Sequence, residues 1–218
     1  MNYINLFFRG YANKSYSQEG EDMILRRIFE GQHSGFYIDV GAHHPKRFSN
    51  TFFFYKLGWR GINIDAMPGS MKPFNILRTR DINIEKPVSS KKELLTYYCF
   101  NEPALNGFSK IKSDERNGLN NFKILYTKDI ETSTLEEILD AHLVDSQKID
   151  FLSIDVEGLD FEVLRSINID KYRPNVILVE LDFDLSDIYQ DEIYKFLLLN
   201  NYKLYAKAVH SFIFRSNV

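Results

Sequence analysis

A chain of 218 residues with 44% hydrophobic content can bury one substantial core, and its 18 Phe and 13 Tyr supply large aromatic anchors. The formal charge of −3, with no dense run of Lys and Arg, offers no basic field for nucleic acid, and no stretch reaches the roughly 20 apolar residues of a membrane span. The lone Cys99 excludes an intramolecular disulfide and a cysteine-rich zinc site, which points to a reducing compartment.

The opening MNYINLFFRGYANK lacks the charged and apolar regions of a secretory signal, so a cytoplasmic protein is expected. Residues 1–16 read as an extension to a single domain covering 1–218. Residues 17–29 read as a helix with Ser17 as N-cap and Met23, Ile24, Ile28 and Phe29 on one face. A short buried strand follows at 36–40, then a helix at 49–57, capped by Ser49 or Asn50 and stopped by Gly58. Phe52, Phe53, Phe54 and Tyr55 on that helix, and Trp59 after it, read as core packing. Residues 61–66 form the second predicted strand. The three positive charges between Lys72 and Arg80 read as a solvated face. A third strand at 81–88 carries Pro87, which restricts it to an edge or to its own end.

Between Lys91 and Ile130 the pattern loosens. Extra strands are predicted at 94–100 and 122–126, joined by a polar loop of the kind that often binds ligands. Order returns with a helix at 134–143, opened by a capping box of Ser133 or Thr134 with Glu136 or Glu137. A strand at 150–156, a helix at 158–167, a strand at 175–181 and a helix at 188–200 follow. The runs 202–209 and 212–215 lie too close for a crossover and must form an antiparallel hairpin. The alternation predicts an α/β domain whose mainly parallel sheet ends in one reversed strand.

Ligands of such sheets bind beyond the carboxyl ends of the strands. Four predicted strands end in acids there: Asp39, Asp65, Asp155 with Glu157 close behind, and Glu180 with Asp182. Acids repel phosphate, and only Gly41 remains of the three glycines a dinucleotide site needs, so NAD is disfavoured. Asp65 is placed to accept hydrogen bonds from both hydroxyls of a ribose. Adenosine without pyrophosphate is the ligand described, and S-adenosyl-L-methionine is the common cofactor that contains it.

The chain resembles the FkbM-type methyltransferases of the S-adenosylmethionine-dependent class I superfamily from about Ser17 to its end. The resemblance rests on SQEGED (17–22), GFYIDVGAHHPKRFSNT (35–51), GWRGINIDAMP (58–68), IDFLSIDVEGLDFEVL (149–164) and PNVILVEL (174–181), in this order and spacing. It implies a Rossmann-like sheet of seven strands, the last antiparallel, with helices on both faces. It also implies roles. Asp39, Gly41, Ala42 and His43 would form the loop under the methionine part of the cofactor, with Asn50 and Thr51 as further contacts. Asp65, with Ala66, would hold the ribose, Val88 and Ser89 would lie near adenine, and Asp155 near the transferred methyl. Gln18 and Asp22 would cover the cofactor. Many relatives carry Glu-Pro in place of Asp65-Ala66, and often Glu in place of Asp160.

The expected activity is O-methylation of a sugar hydroxyl on a surface-glycan precursor, sugar nucleotide or oligosaccharide. A stand-alone domain with no carrier-protein or glycosyltransferase module fits such an acceptor, with another small-molecule hydroxyl as the alternative. A non-catalytic binding module would have no reason to keep Asp39, Asp65, Asp155 and Glu157 together. Tyr97, Tyr98 and Phe100 on the first extra strand are candidates for contact with a sugar, since alternate positions on an exposed strand face one way. Asn106, Glu157 and Glu180 are further candidate acceptor contacts, and residues 102–121 are expected to shape the acceptor pocket. A sugar hydroxyl needs help to lose its proton. Two arrangements fit: His44 or His210 as base alongside Asp155 and Glu157, or Asp155, Glu157, Glu180 and Asp182 collecting Mg²⁺. The metal-free arrangement is preferred, with His44 and Glu157 the first residues to mutate.

Overall fold

A computed structural model describes residues 12–144, 146–181 and 185–218. The strands are β1 Phe36–Val40, β2 Arg60–Asp65, β3 Ile82–Glu85, β4 Leu94–Phe100, β5 Ile124–Glu131, β6 Phe151–Ile154, β7 Val176–Glu180, β8 Tyr202–Lys207 and β9 Ser211–Ser216. The helices are α1 Glu21–Ile28, α2 Phe52–Lys56, α3 Met71–Leu77, α4 Lys110–Arg116, α5 Leu135–His142, α6 Asp160–Arg165, α7 Ile169–Tyr172 and α8 Glu192–Leu199. Among the described residues no helix is long and apolar enough to cross a membrane.

Seven strands form one sheet in the order β3-β2-β1-β6-β7-β9-β8, and only β9 runs against its neighbours. Each inner strand is buried on both faces, which is why FYIDV, FLSI and VILVE read as continuous apolar runs. Alternate residues then pack opposite helix layers. Ile38, Val40, Ile62, Ile64, Leu152 and Ile154 meet Leu135 and Leu139 of α5, Leu164 of α6 and Leu197 of α8. On the other face Tyr37, Phe151 and Leu178 meet Leu25 of α1 and Phe54 of α2.

The aromatic run on α2 is core packing, as the sequence suggests, with Phe52, Phe54 and Tyr55 buried. Trp59 is 1% exposed and stacks at an angle on Phe54, with ring centres 4.8 Å apart. Helix α5 opens with the predicted capping box, here made by Thr134 and Glu137. Helix α1 starts at Glu21, later than expected, with Gly20 rather than Ser17 at its N-cap. The Ser17 hydroxyl is occupied by the Asp22 carboxylate, to which it donates at 2.9 Å.

One sequence expectation is overturned outright. Arg78, read as part of a solvated face, is 0% exposed and pairs with Asp81 at 2.9 Å. Removing one partner of such a pair strands the other charge and typically costs about 3–5 kcal/mol. The segment between β3 and α5 departs from the alternation. There β4 and β5 make their own antiparallel two-stranded sheet, carrying α4 in the connection between them.

Candidate functional site

The strand order reverses between β1 and β6, and the chain leaves the carboxyl ends of these two strands on diverging paths. Such a switch point opens a crevice. Gly41, directly after β1, takes φ 85°, and a Cβ there would lie 1.6 Å from the backbone oxygen of Asp155. Only glycine fits, because the loops after β1 and β6 touch through their backbones. The amides of Gly41 and Ala42 then both donate to Ile64 O, at 2.9 and 3.0 Å, which turns the chain over the end of β2.

That turn delivers His43, itself at φ 51°, to Asp65. The His43 amide donates to Asp65 Oδ2 at 2.9 Å and the Met67 amide to Oδ1 at 2.8 Å. Burial pushes the Asp65 carboxyl up, while the two amides pull it down. The carboxylate is fixed in orientation, and each oxygen keeps accepting capacity for a ligand.

A cavity of about 520 Å³ runs along these strand ends. Ile64, Ala66, Met67, Pro87 and Val88 give one end an apolar wall. Gly41, His43 and Asp65 line its middle, and Gln18, Asp155, Glu157, Glu180 and His210 its other end. Asp155 is exposed to the cavity yet set deep among protein atoms. That enclosure, with the nearby charges of Glu180, Asp160, Glu157 and Asp39, pushes its carboxyl well above the usual carboxylate range. Asp155, Glu157 and Glu180 each bring a carboxylate oxygen within 4.8 Å of the others. A recess of about 30 Å³ adjoins this acidic end and is lined by Asn50 together with Gln18, Asp155, Glu180 and His210.

The inserted unit roofs the cavity with Tyr97, Asn106, Phe108, Arg116 and Phe122. It docks without slack on the loop after β6. A Cβ on Gly107 would stand 2.9 Å from Cβ of Glu157, and one on Gly158 would stand 2.8 Å from Cβ of Ser109. Glu157 holds the left-handed φ of 54° between these contacts. Arg116 Nη1 donates to Glu157 Oε2 at 2.8 Å, and Arg47 pairs with Glu102 at 3.2 Å across the mouth.

Of the residues singled out in the sequence, Gln18, Gly41, His43, Asp65, Ala66, Val88, Asn106, Asp155, Glu157, Glu180 and His210 meet at this cavity. Others do not. Asp22 is buried beneath the preceding loop, where Ser15, Tyr16 and Ser17 donate to its carboxylate, so it shapes the segment that presents Gln18. Asp39 and Thr51 lie behind the cavity, bonded to each other at 2.8 Å. Ala42 packs on Met71 and Phe74, and the Ser89 amide donates to Ser133 O. His44 stands apart from the cavity described here: its Nδ1 accepts from the amides of Lys46 and Arg47 at 3.1 and 3.0 Å, which ties it into the turn that follows. Of the three aromatic positions singled out on β4, Tyr97 lines the cavity, and Tyr98 and Phe100 do not. Asp182 lies outside the described residues.

Sequence reading missed Arg47, Phe48, Phe108 and Arg116. The alternation of β4 narrows the choice to Tyr97 or Tyr98 but does not say which faces inward. No curated protein matches this chain. The model of one family, the methyltransferase FkbM domain, matches residues 39–204, which takes in Asp39, Asp65, Asp155 and Glu180; the chain therefore belongs to the FkbM methyltransferase family.

Proposed function

We propose that this methyltransferase uses S-adenosyl-L-methionine to methylate a hydroxyl of a sugar. The observation that carries the reading is Asp65, oriented by two backbone amides at the floor of a cavity that has no phosphate-binding glycine loop. Its free lone pairs suit the two hydroxyls of a ribose. The wall of Ala66, Met67, Pro87 and Val88 suits a flat, largely apolar adenine. At the other end, carboxylates favour the cofactor's positive groups, and Asn50 Oδ1, buried with no hydrogen-bond partner, offers an acceptor for an ammonium. Cavity size agrees, since ligand pockets commonly run to about 300–1,000 Å³.

When bound, the cofactor supplies an electrophilic methyl that carries its own leaving group. The chain's own work is to orient the acceptor, exclude water and take one proton. Tyr97 and Phe108, with ring centres 4.9 Å apart, give an apolar face for a sugar ring. Glu157, fixed by Arg116, and Glu180 offer acceptors for its hydroxyls. Asp155 is the proton acceptor that the site best supports, because its raised carboxyl keeps proton affinity nearer neutral pH. His210, on the same wall, is the second choice.

Calorimetry with S-adenosylhomocysteine tests the cofactor. Wild type binds it and ignores NAD, and Asp65→Ala weakens binding by about 2–4 kcal/mol, the loss of two charge-assisted hydrogen bonds. Tight NAD binding with no S-adenosyl ligand overturns the reading. For the acceptor, mass spectrometry of glycans from cells with and without the gene should show the loss of one methyl. Turnover in excess chelator leaves proton removal to protein groups. Turnover lost to chelator and restored by Mg²⁺ would instead assign Asp155, Glu157 and Glu180 to a cation.

A further inference from the structure

Arg78 follows α3 and lines no part of the cavity, yet almost every donor on its guanidinium is used. Nε donates to Asp81 Oδ2 at 2.9 Å, Nη1 to Pro45 O at 3.0 Å, and Nη2 to Tyr37 OH at 2.8 Å and to Thr51 Oγ1 at 2.9 Å. Phe52, Tyr55 and Phe74 enclose it with their rings, and the carboxylate of Asp81 takes further bonds from Tyr37 OH and the Gly61 amide. A stability role alone would be met by Asp81. The bonds to Pro45 and Thr51 reach instead into the loop that runs from Gly41 to the start of α2.

A guanidinium donates and never accepts, so it fixes the polarity of each partner. Thr51 Oγ1 must receive from Arg78, which leaves its one hydrogen for Asp39 Oδ2 at 2.8 Å. A second relay runs beside the first. Asn50 Nδ2 donates to Ser153 Oγ at 3.1 Å, and the Ser153 hydroxyl in turn supports Asp39. Asp39, one residue before the end of β1 and 5% exposed, is flanked by Ser153 and Asp155 from β6 and its loop, Asp65 from β2, Thr51 ahead of α2, and Arg78. Two of the three charges facing it are negative. Burial raises its carboxyl, and the Thr51 hydroxyl, the Arg78 charge and the Ser153 hydroxyl oppose that rise.

We propose that Arg78 is a positioning residue for cofactor binding: it pins the loop at Pro45 and, through Thr51, orients the Asp39 carboxyl group behind the place of the cofactor's positive groups. This deepens the cofactor reading above and rests on it, so one arm of its test needs no ligand.

The test uses the full chain with Thr51→Val, Thr51→Ser and Arg78→Lys. In the ligand-free protein, carboxyl ¹³C NMR should place the Asp39 titration midpoint higher in Thr51→Val and return it in Thr51→Ser. Thr51→Val should weaken S-adenosylmethionine about tenfold, the worth of one charge-assisted hydrogen bond. S-adenosylhomocysteine, which lacks the sulfonium charge, should weaken less, by about threefold. A wild-type Asp39 midpoint in Thr51→Val, or equal weakening of both ligands, overturns the proposal. If Arg78→Lys does not fold, the Thr51 pair decides alone. If wild type binds neither ligand, the cofactor reading fails, and the NMR arm still decides whether the relay to Asp39 exists.

Discussion

The edge of the central sheet and the β4–β5 roof face the same cavity but are held by different physics. Strands β1, β6 and β7 bury nearly every side chain, and their loops meet through backbone atoms in van der Waals contact. The roof touches the floor closely only around Gly107 and Ser109; elsewhere it exposes most of β5 and is latched at the cavity mouth by two ion pairs, Arg47–Glu102 and Arg116–Glu157, with three of the four side chains between 31% and 48% exposed. Close packing has no spare volume, whereas part-exposed ion pairs contribute under about 1 kcal/mol each. The floor therefore fixes a binding geometry, and the roof is free to diversify what lies over it.

Two glycines with similar left-handed backbone angles break this contrast or confirm it. Gly41 sits at φ 85° against Asp155 O, and Gly118, in the roof, at φ 96° with nothing within 4 Å of the place a Cβ would take. Gly41→Ala should destabilise by more than about 4 kcal/mol or leave no folded protein, since backbone must move. Gly118→Ala carries only the left-handed strain of about 1–2 kcal/mol. Denaturant melts of both variants give the comparison, and equal losses would show that the roof is packed as tightly as the floor.

The floor also carries a charge cost that stability measurements expose. The Asp155 carboxyl is raised in the folded chain. Near pH 3 both folded and unfolded chains hold the proton, and the group costs nothing. As pH rises, the unfolded chain releases its proton first, so stability falls until the folded value is passed. Asp155→Asn should therefore melt higher than wild type at pH 7, by about 2–3 °C given screening by solvent in the cavity, and equally near pH 3. It should also be inactive. A variant that melts lower at pH 7 would mean that the carboxylate is held by favourable contacts.

The smallest expected effect belongs to the roof latch. Arg116→Ala should raise KM for the acceptor about two- to fivefold and leave S-adenosylhomocysteine affinity unchanged, and the same KM should rise with salt in wild type. Loss of cofactor affinity would place Arg116 in the floor.

Sequence made the floor legible because its signals are local. A buried run that ends in an acid marks a strand end, and four such ends in one sheet converge whatever the loops do. The roof and the polar core depend on partners distant in the chain. Arg78 reads as a surface charge until Tyr37, Pro45 and Thr51 are folded around it. The choice between Tyr97 and Tyr98 rests on which face of β4 meets Phe108, a packing outcome with no mark in the local pattern. His43 and His44 differ by one position, yet one lines the cavity and the other closes a turn through its ring nitrogen.

The chain has one tryptophan, and its surroundings suit it to a particular use. Trp59 lies among Phe29, Phe54 and Phe151, and Gly35 leaves room for its ring, since a Cβ there would stand 2.4 Å from it. Its indole nitrogen is buried with no hydrogen-bond partner, and the ring is absent from the cavity lining. Intrinsic fluorescence excited at the indole is thus a one-site gauge of the aromatic layer under α1 and α2. It should be blue-shifted in the native state, indifferent to ligand titration, and red-shifted only when that layer comes apart.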